Sequence, residues 1–170
     1  MTYYANIMMP FGDLILRALD GLGALQIDML APSHGVIWRS HVKEVTEAYT
    51  SWARGDSRSK IVVVYDTMWG STDKMAKALV KGVADTGVEV KLFNLTFSAR
   101  SDIVKEVLEA EAILIGSPTL NNGMFPTVAD FLCYLKGLRP KRKVGAAFGS
   151  HGWAGGAVKQ IEEELGKGGV

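Results

Sequence analysis

Apolar residues fall into two regimes along this chain: helical spacing in the first third, then a regular alternation of strand-like and helix-like runs. Between Met8 and Leu22, Phe11, Leu14, Ile15, Ala18, Leu19 and Leu22 recur at helical spacing, and Gly21 and Gly23 predict where that helix stops. Leu25–Leu30 alternates like a short strand, and Ala31-Pro32-Ser33-His34-Gly35 follows as a turn-rich loop. Val42, Val45, Tyr49 and Trp52 share one face of a second helix expected over Ser40–Trp52. The polar, breaker-rich stretch Arg54-Gly55-Asp56-Ser57-Arg58-Ser59 marks a linker, dividing the chain into residues 1–59 and 60–170.

Lys60–Tyr65 carries an uninterrupted β-branched run, the pattern of a strand buried on both faces. Helix Thr72–Thr86, strand Val88–Phe93, helix Ile103–Leu108, strand Ala112–Gly116, helix Thr127–Leu138, strand Lys143–Phe148 and helix Gly156–Leu165 follow in turn. This alternation predicts an α/β fold with a doubly wound parallel sheet and right-handed crossovers. The expected strand order is 2-1-3-4. The fifth strand of a 2-1-3-4-5 sheet is missing, because the pattern stops at Gly168-Gly169-Val170.

Composition narrows the function classes. Of 170 residues, 48% are apolar and 22% charged, with a net charge of +1, so the chain reads as globular and offers no electrostatic footprint for nucleic acid. The basic cluster Arg139–Lys143 reads as solvated loop surface. One cysteine, Cys133, rules out an internal disulfide framework or a CxxC knuckle, fits a reducing cytoplasm, and reads as a small core residue. No run approaches the about 18 apolar residues of a membrane span, and the N-terminus lacks a basic signal-peptide region.

In open parallel sheets, ligands bind beyond the carboxyl ends of the strands. Three loops fall there. Thr67-Met68-Trp69-Gly70-Ser71-Thr72 offers hydroxyls and the free N–H groups of a helix start to a phosphate; it lacks both the nucleoside-triphosphate motif and the dinucleotide glycine motif. The bland alternative is an ordinary helix cap at Ser71 or Thr72. Pro118-Thr119-Leu120-Asn121-Asn122-Gly123 carries a stiffening proline, a flexible glycine and amides able to meet the edge of a flat heterocycle, although an isolated Asn-Gly is ordinarily a plain turn. In Ser150-His151-Gly152-Trp153, as in Trp69 of the first loop, an aromatic stands ready to stack on a ring; either tryptophan reads equally well as an interface residue, and His151 as a capping residue.

Taken together, Tyr65–Thr72, Gly116–Met124 and Phe148–Trp153 resemble the flavodiiron proteins (A-type flavoproteins). Leu30-Ala31-Pro32-Ser33-His34-Gly35-Val36-Ile37-Trp38-Arg39 resembles the end of that family's metallo-β-lactamase-like domain. The resemblance implies a flavodoxin-like FMN domain (residues 60–170) preceded by a short α/β remnant of the diiron domain (residues 1–59). It implies FMN at Thr67–Thr72, Pro118–Gly123 and Ser150–Trp153, and His34 as an iron ligand. It further implies electron transfer from a donor such as rubredoxin to a diiron centre that reduces O2 or NO, in a head-to-tail homodimer. The family's other iron ligands are not in this chain, so a diiron centre is expected only in a full-length protein. A stand-alone flavodoxin-like carrier, a quinone reductase and a flavin-free interaction domain are the competing readings.

Overall fold

A computed structural model describes all residues, 1–170. Four parallel strands form its sheet: β1 (Arg58–Tyr65), β2 (Glu89–Asn94), β3 (Ala110–Leu120) and β5 (Val144–Ser150), while the two-residue β4 (Gly123–Met124) folds back antiparallel on the end of β3. The spatial order is β2-β1-β3-β5, with Val63 beside Leu92 and Leu114, and Leu114 beside Ala146. This is the expected 2-1-3-4 order with a small hairpin added. The helices are α1 (Gly12–Leu22), α2 (Val42–Arg54), α3 (Ser71–Ala84), α4 (Arg100–Leu108), α5 (Pro126–Leu138) and α6 (Ala157–Gly168).

Side chains alternate across β1, so its β-branched run feeds two cores. Val62 and Val64 join Ile113 and Ile115 on the face covered by α4, α5 and α6, where Ile103, Val104, Val107, Phe131, Leu135 and Ile161 are also buried. Val63 and Tyr65 face α3 through Ala76. Burying each large apolar side chain contributes about 1.5–3 kcal/mol. The segment before the sheet also enters the first core: Tyr4, Ala5 and Met9 are buried there. Tyr4 sits among Tyr49 and Trp52, each ring centroid 5.2 Å away, which docks α2.

Four sequence expectations change. The first helix does not run evenly from Met8. Residues 4–8 form a π-helical turn and Met9–Phe11 a 3-10 turn, and α1 starts only at Gly12, because Pro10 has no N–H to continue an α-helical ladder. Leu25–Leu30 is not a strand; it makes a single bridge, Leu30 to Trp38, and has no other partner to pair with. Cys133 is exposed: it lies two residues beyond inward-facing Phe131, about 200° around α5. Lys143 is buried rather than solvated, its Nζ donating to the Leu108 carbonyl at 3.0 Å, close to Lys60, which pairs with Glu106 at 3.1 Å. No helix is long and apolar enough to cross a membrane.

Candidate functional site

The loops after β1, β2 and β5 and the β3–β4 hairpin all lie at the carboxyl ends of the parallel strands. After Tyr65 the chain must turn sharply into α3. Gly70 makes that turn at φ 84°, a left-handed conformation that side chains resist. The Thr67 hydroxyl oxygen accepts the Gly70 N–H at 3.0 Å and closes the turn, leaving the hydroxyl proton free to be donated outward. The N–H groups of Ser71, Thr72 and Asp73 open α3 and have no acceptor within it, so the positive end of the helix faces the loop. Tyr65 anchors this helix start by donating to Asp73 at 2.5 Å, and Lys77 pairs with the same carboxylate at 2.8 Å. Burial, reinforced by the Asp73 hydrogen bond, raises the Tyr65 pKa. The Lys77 hydrogen bond, then that of Tyr65, lowers the Asp73 pKa.

The second candidate loop is mostly not a loop. Pro118, Thr119 and Leu120 continue β3, with Pro118 paired to Ser150. Asn121 (φ 49°) and Asn122 (φ 61°) both adopt left-handed backbone and form a two-residue hairpin of the type that matches strand twist. The positive φ therefore falls on the two asparagines and not on Gly123, whose place is set by its neighbours: the Gln160 side-chain oxygen accepts the Met124 N–H at 2.9 Å.

The three candidate segments meet. Buried Thr72 holds its hydroxyl 3.0 Å from that of Ser150, joining the first loop to the third. Thr119 accepts N–H groups from Gly156 (3.3 Å) and Ala157 (3.4 Å), joining the hairpin to the start of α6. A Cβ on Gly156 would lie 2.2 Å from the Asn122 carbonyl oxygen, so this contact needs glycine. Met68, Ser71, His151 and Gly152 are exposed on the rim. Trp69 is 88% exposed and Trp153 wholly so; neither indole is committed to the protein's own core. A cavity of about 300 Å³ lies between α5 and α6 beside the hairpin, lined by Met124, Ala129, Cys133, Gln160, Glu163 and Glu164.

Four residues at this rim escape sequence reasoning. Asp66 is buried and gathers Thr67, Thr96 and Thr127, and Phe97, 86% exposed, stands in the loop after β2. An aromatic inside the polar turn Thr96-Phe97-Ser98 is a readable signal; a buried Asp at a strand end is not. His34 lies apart, exposed and stacked on Tyr3 with ring centroids 4.7 Å apart. No three His, Cys, Asp or Glu side chains group so as to hold a metal ion, so a diiron centre does not fit the residues of this chain alone.

A hydroxyl-rich turn ahead of a helix, at the carboxyl end of the first strand of a doubly wound sheet, fits the flavodoxin class, and the flavodoxin family model matches residues 63–170. The chain belongs to the flavodoxin family. Its relatives include proteins named as flavodiiron proteins and nitric oxide reductases. It is 54% identical over 165 residues to a nitric oxide reductase of Moorella thermoacetica, covering 96% of this chain and 41% of that protein. Rubredoxin oxygen:oxidoreductase of Desulfovibrio gigas superposes with a TM-score of 0.94 at 40% identity, over 99% of this chain and 43% of the other. The flavodiiron protein of Giardia intestinalis does so with a TM-score of 0.94 at 36% identity, over 98% and 42%. The chain thus spans less than half the length of each of these three relatives.

Proposed function

We propose that this chain is the FMN-binding electron-transfer part of a flavodiiron O2/NO reductase. The observation that carries this reading is the convergence of a helix-start phosphate turn with exposed aromatics on one rim. Thr67, Ser71 and Thr72, with the first N–H groups of α3, would hold the phosphate. Met68, Trp69 and Gly70, the edge Pro118, Thr119, Leu120, Asn121, Asn122 and Gly123, and the loop Ser150, His151, Gly152 and Trp153 would border the ring. These residues fit the group: the hydroxyl of Thr67 has a free proton, and Trp69 and Trp153 have uncommitted faces. FMN supplies the redox chemistry when bound; the protein binds and orients it.

In the same reading the electron donor is rubredoxin or a similar carrier, as the name of the Desulfovibrio gigas relative suggests. O2 or NO is the terminal acceptor, at irons held mainly by protein outside these residues. Residues 1–59 are the end of a metallo-β-lactamase-like domain, 60–170 are the flavodoxin-like domain, and His34 is this chain's one contribution to the iron site. A head-to-tail homodimer would bring flavin and irons together, in the cytoplasm.

The test is reconstitution. Apoprotein mixed with FMN and passed through gel filtration is expected to emerge yellow, and reduced rubredoxin is expected to bleach it. The chain alone is expected to turn over O2 or NO no faster than free flavin does. A colourless protein refutes the reading, and NAD(P)H-driven quinone reduction would replace it with the quinone-reductase one.

A further inference from the structure

Asp66 ends β1 and is 1% exposed. Its N–H bonds the Gly116 carbonyl at 3.2 Å, extending the strand ladder by one residue. Its carboxylate is fully engaged. Oδ1 accepts the Thr67 N–H at 2.7 Å and the Thr96 hydroxyl at 3.2 Å. Oδ2 accepts the Thr127 hydroxyl at 2.5 Å and lies 3.4 Å from that of Thr96. All three donors are neutral. A buried charge satisfied only by neutral donors is costly, and an uncharged side chain of the same shape would tie the same segments together more cheaply.

What distinguishes the cluster is where its donors come from. Thr67 belongs to the phosphate turn. Thr96 precedes exposed Phe97 in the loop after β2. Thr127 lies in the first turn of α5, directly after the Asn121–Met124 hairpin. One carboxylate therefore has a hand on three of the segments that border the rim. We infer that Asp66 is a positioning residue for the FMN site: its carboxylate sets these three segments in the arrangement that receives the cofactor, and its fixed negative charge behind the rim opposes reduction there. The inference rests on the proposed reading of the rim as an FMN site. Ordering the loops in advance removes part of the entropic cost of binding, and a fixed charge beside a redox group resists the arrival of further negative charge.

The experiment uses the whole chain with Asp66→Asn, Asp66→Ala and Thr127→Val. Three quantities are read: FMN affinity by fluorescence titration of apoprotein, the midpoint potential of the bound flavin, and amide exchange around Thr67, Thr96 and Thr127 without flavin. Asp66→Ala is expected to weaken FMN binding by about 10–100-fold, the range for losing charge-assisted hydrogen bonds, and to speed exchange in all three segments together. Asp66→Asn keeps shape and an acceptor for Thr67. It is expected to lose less affinity and to raise the potential, which a purely structural residue would not do. Thr127→Val is expected to free only the α5 segment. If Asp66→Ala does not fold, the other two variants decide. Variants with unchanged affinity, potential and exchange overturn the inference. If the wild-type chain takes up no FMN, the proposed function fails first, and coordinated exchange in the apoprotein still tests the clamp.

Discussion

Replacing Lys143 by methionine should change how the stability of the protein depends on pH. Lys143 is 8% exposed and donates to a backbone carbonyl, with no carboxylate on its amine. Burial, and then the charges of Lys60 and Arg142, push its pKa down to about 8, while Asp56 opposes this weakly. Below that value the ammonium is held in both folded and unfolded chains, and the penalty for burying it is fully present. Between pH 8 and the ordinary lysine range the unfolded chain binds a proton that the folded chain has lost, so stability rises with pH. Each unit is worth up to about 1.4 kcal/mol, giving roughly 2–3 kcal/mol between pH 8 and 10. Lys143→Met removes this slope. It also leaves the Leu108 carbonyl without its donor, at a cost of about 1–3 kcal/mol that does not vary with pH. The informative quantity is therefore the difference between the two proteins. Measured by urea denaturation at pH 7, 8, 9 and 10, the variant should lose about 2–3 kcal/mol relative to wild type across the range, most of it above pH 8. Parallel profiles would show that the Lys143 amine keeps its ordinary pKa and is effectively solvated.

Other perturbations test the rim and the core. Thr67→Ala should weaken FMN binding by about 10–100-fold, whereas Thr67→Ser should retain most of it, since only the hydroxyl is used; equal affinities would remove Thr67 from the phosphate turn. Thr72→Ala and Ser150→Ala should be non-additive in FMN affinity by about 0.5–3 kcal/mol because their hydroxyls meet, and strict additivity would deny the link. Gly156→Ala should destabilise the fold by about 1–3 kcal/mol, seen as a lower urea midpoint, because its Cβ meets the Asn122 carbonyl. Tyr4→Phe should hold or raise stability at neutral pH, since the buried hydroxyl has no partner; a loss above about 1 kcal/mol would mean that it has one.

The sheet was legible because β1 alternates nothing: a β-branched run filling two cores leaves only a doubly covered strand as its explanation. The strand–turn–helix at Thr67–Thr72 was legible for a local reason, since a glycine and hydroxyls between a strand and a helix state their geometry in consecutive residues. What failed to show depends on partners distant in sequence. Leu25–Leu30 has strand alternation and no neighbouring strand to complete it. Lys143 looks like surface until Lys60, 83 positions earlier, is seen beside it. Asp66 takes its meaning from Thr96 and Thr127, which belong to two other segments. The hairpin at Asn121–Asn122 is obscured because the Asn-Gly signal points to Asn122-Gly123, whereas the left-handed backbone falls on Asn121 and Asn122.

The exposure of Trp69 and Trp153 has an optical consequence. The chain has four tryptophans, and Trp52 is held within the protein with its indole N–H on Glu109 at 3.1 Å. Indole emission overlaps flavin absorption, and rim and interior indoles emit at different wavelengths. A cofactor seated on this rim would quench Trp69 and Trp153 and so diminish the solvent-like, red-shifted part of the spectrum, to which exposed Trp38 also contributes, while leaving more of the interior part. The protein thus carries its own antenna for occupancy of the site, and its emission spectrum can be read before any label is attached.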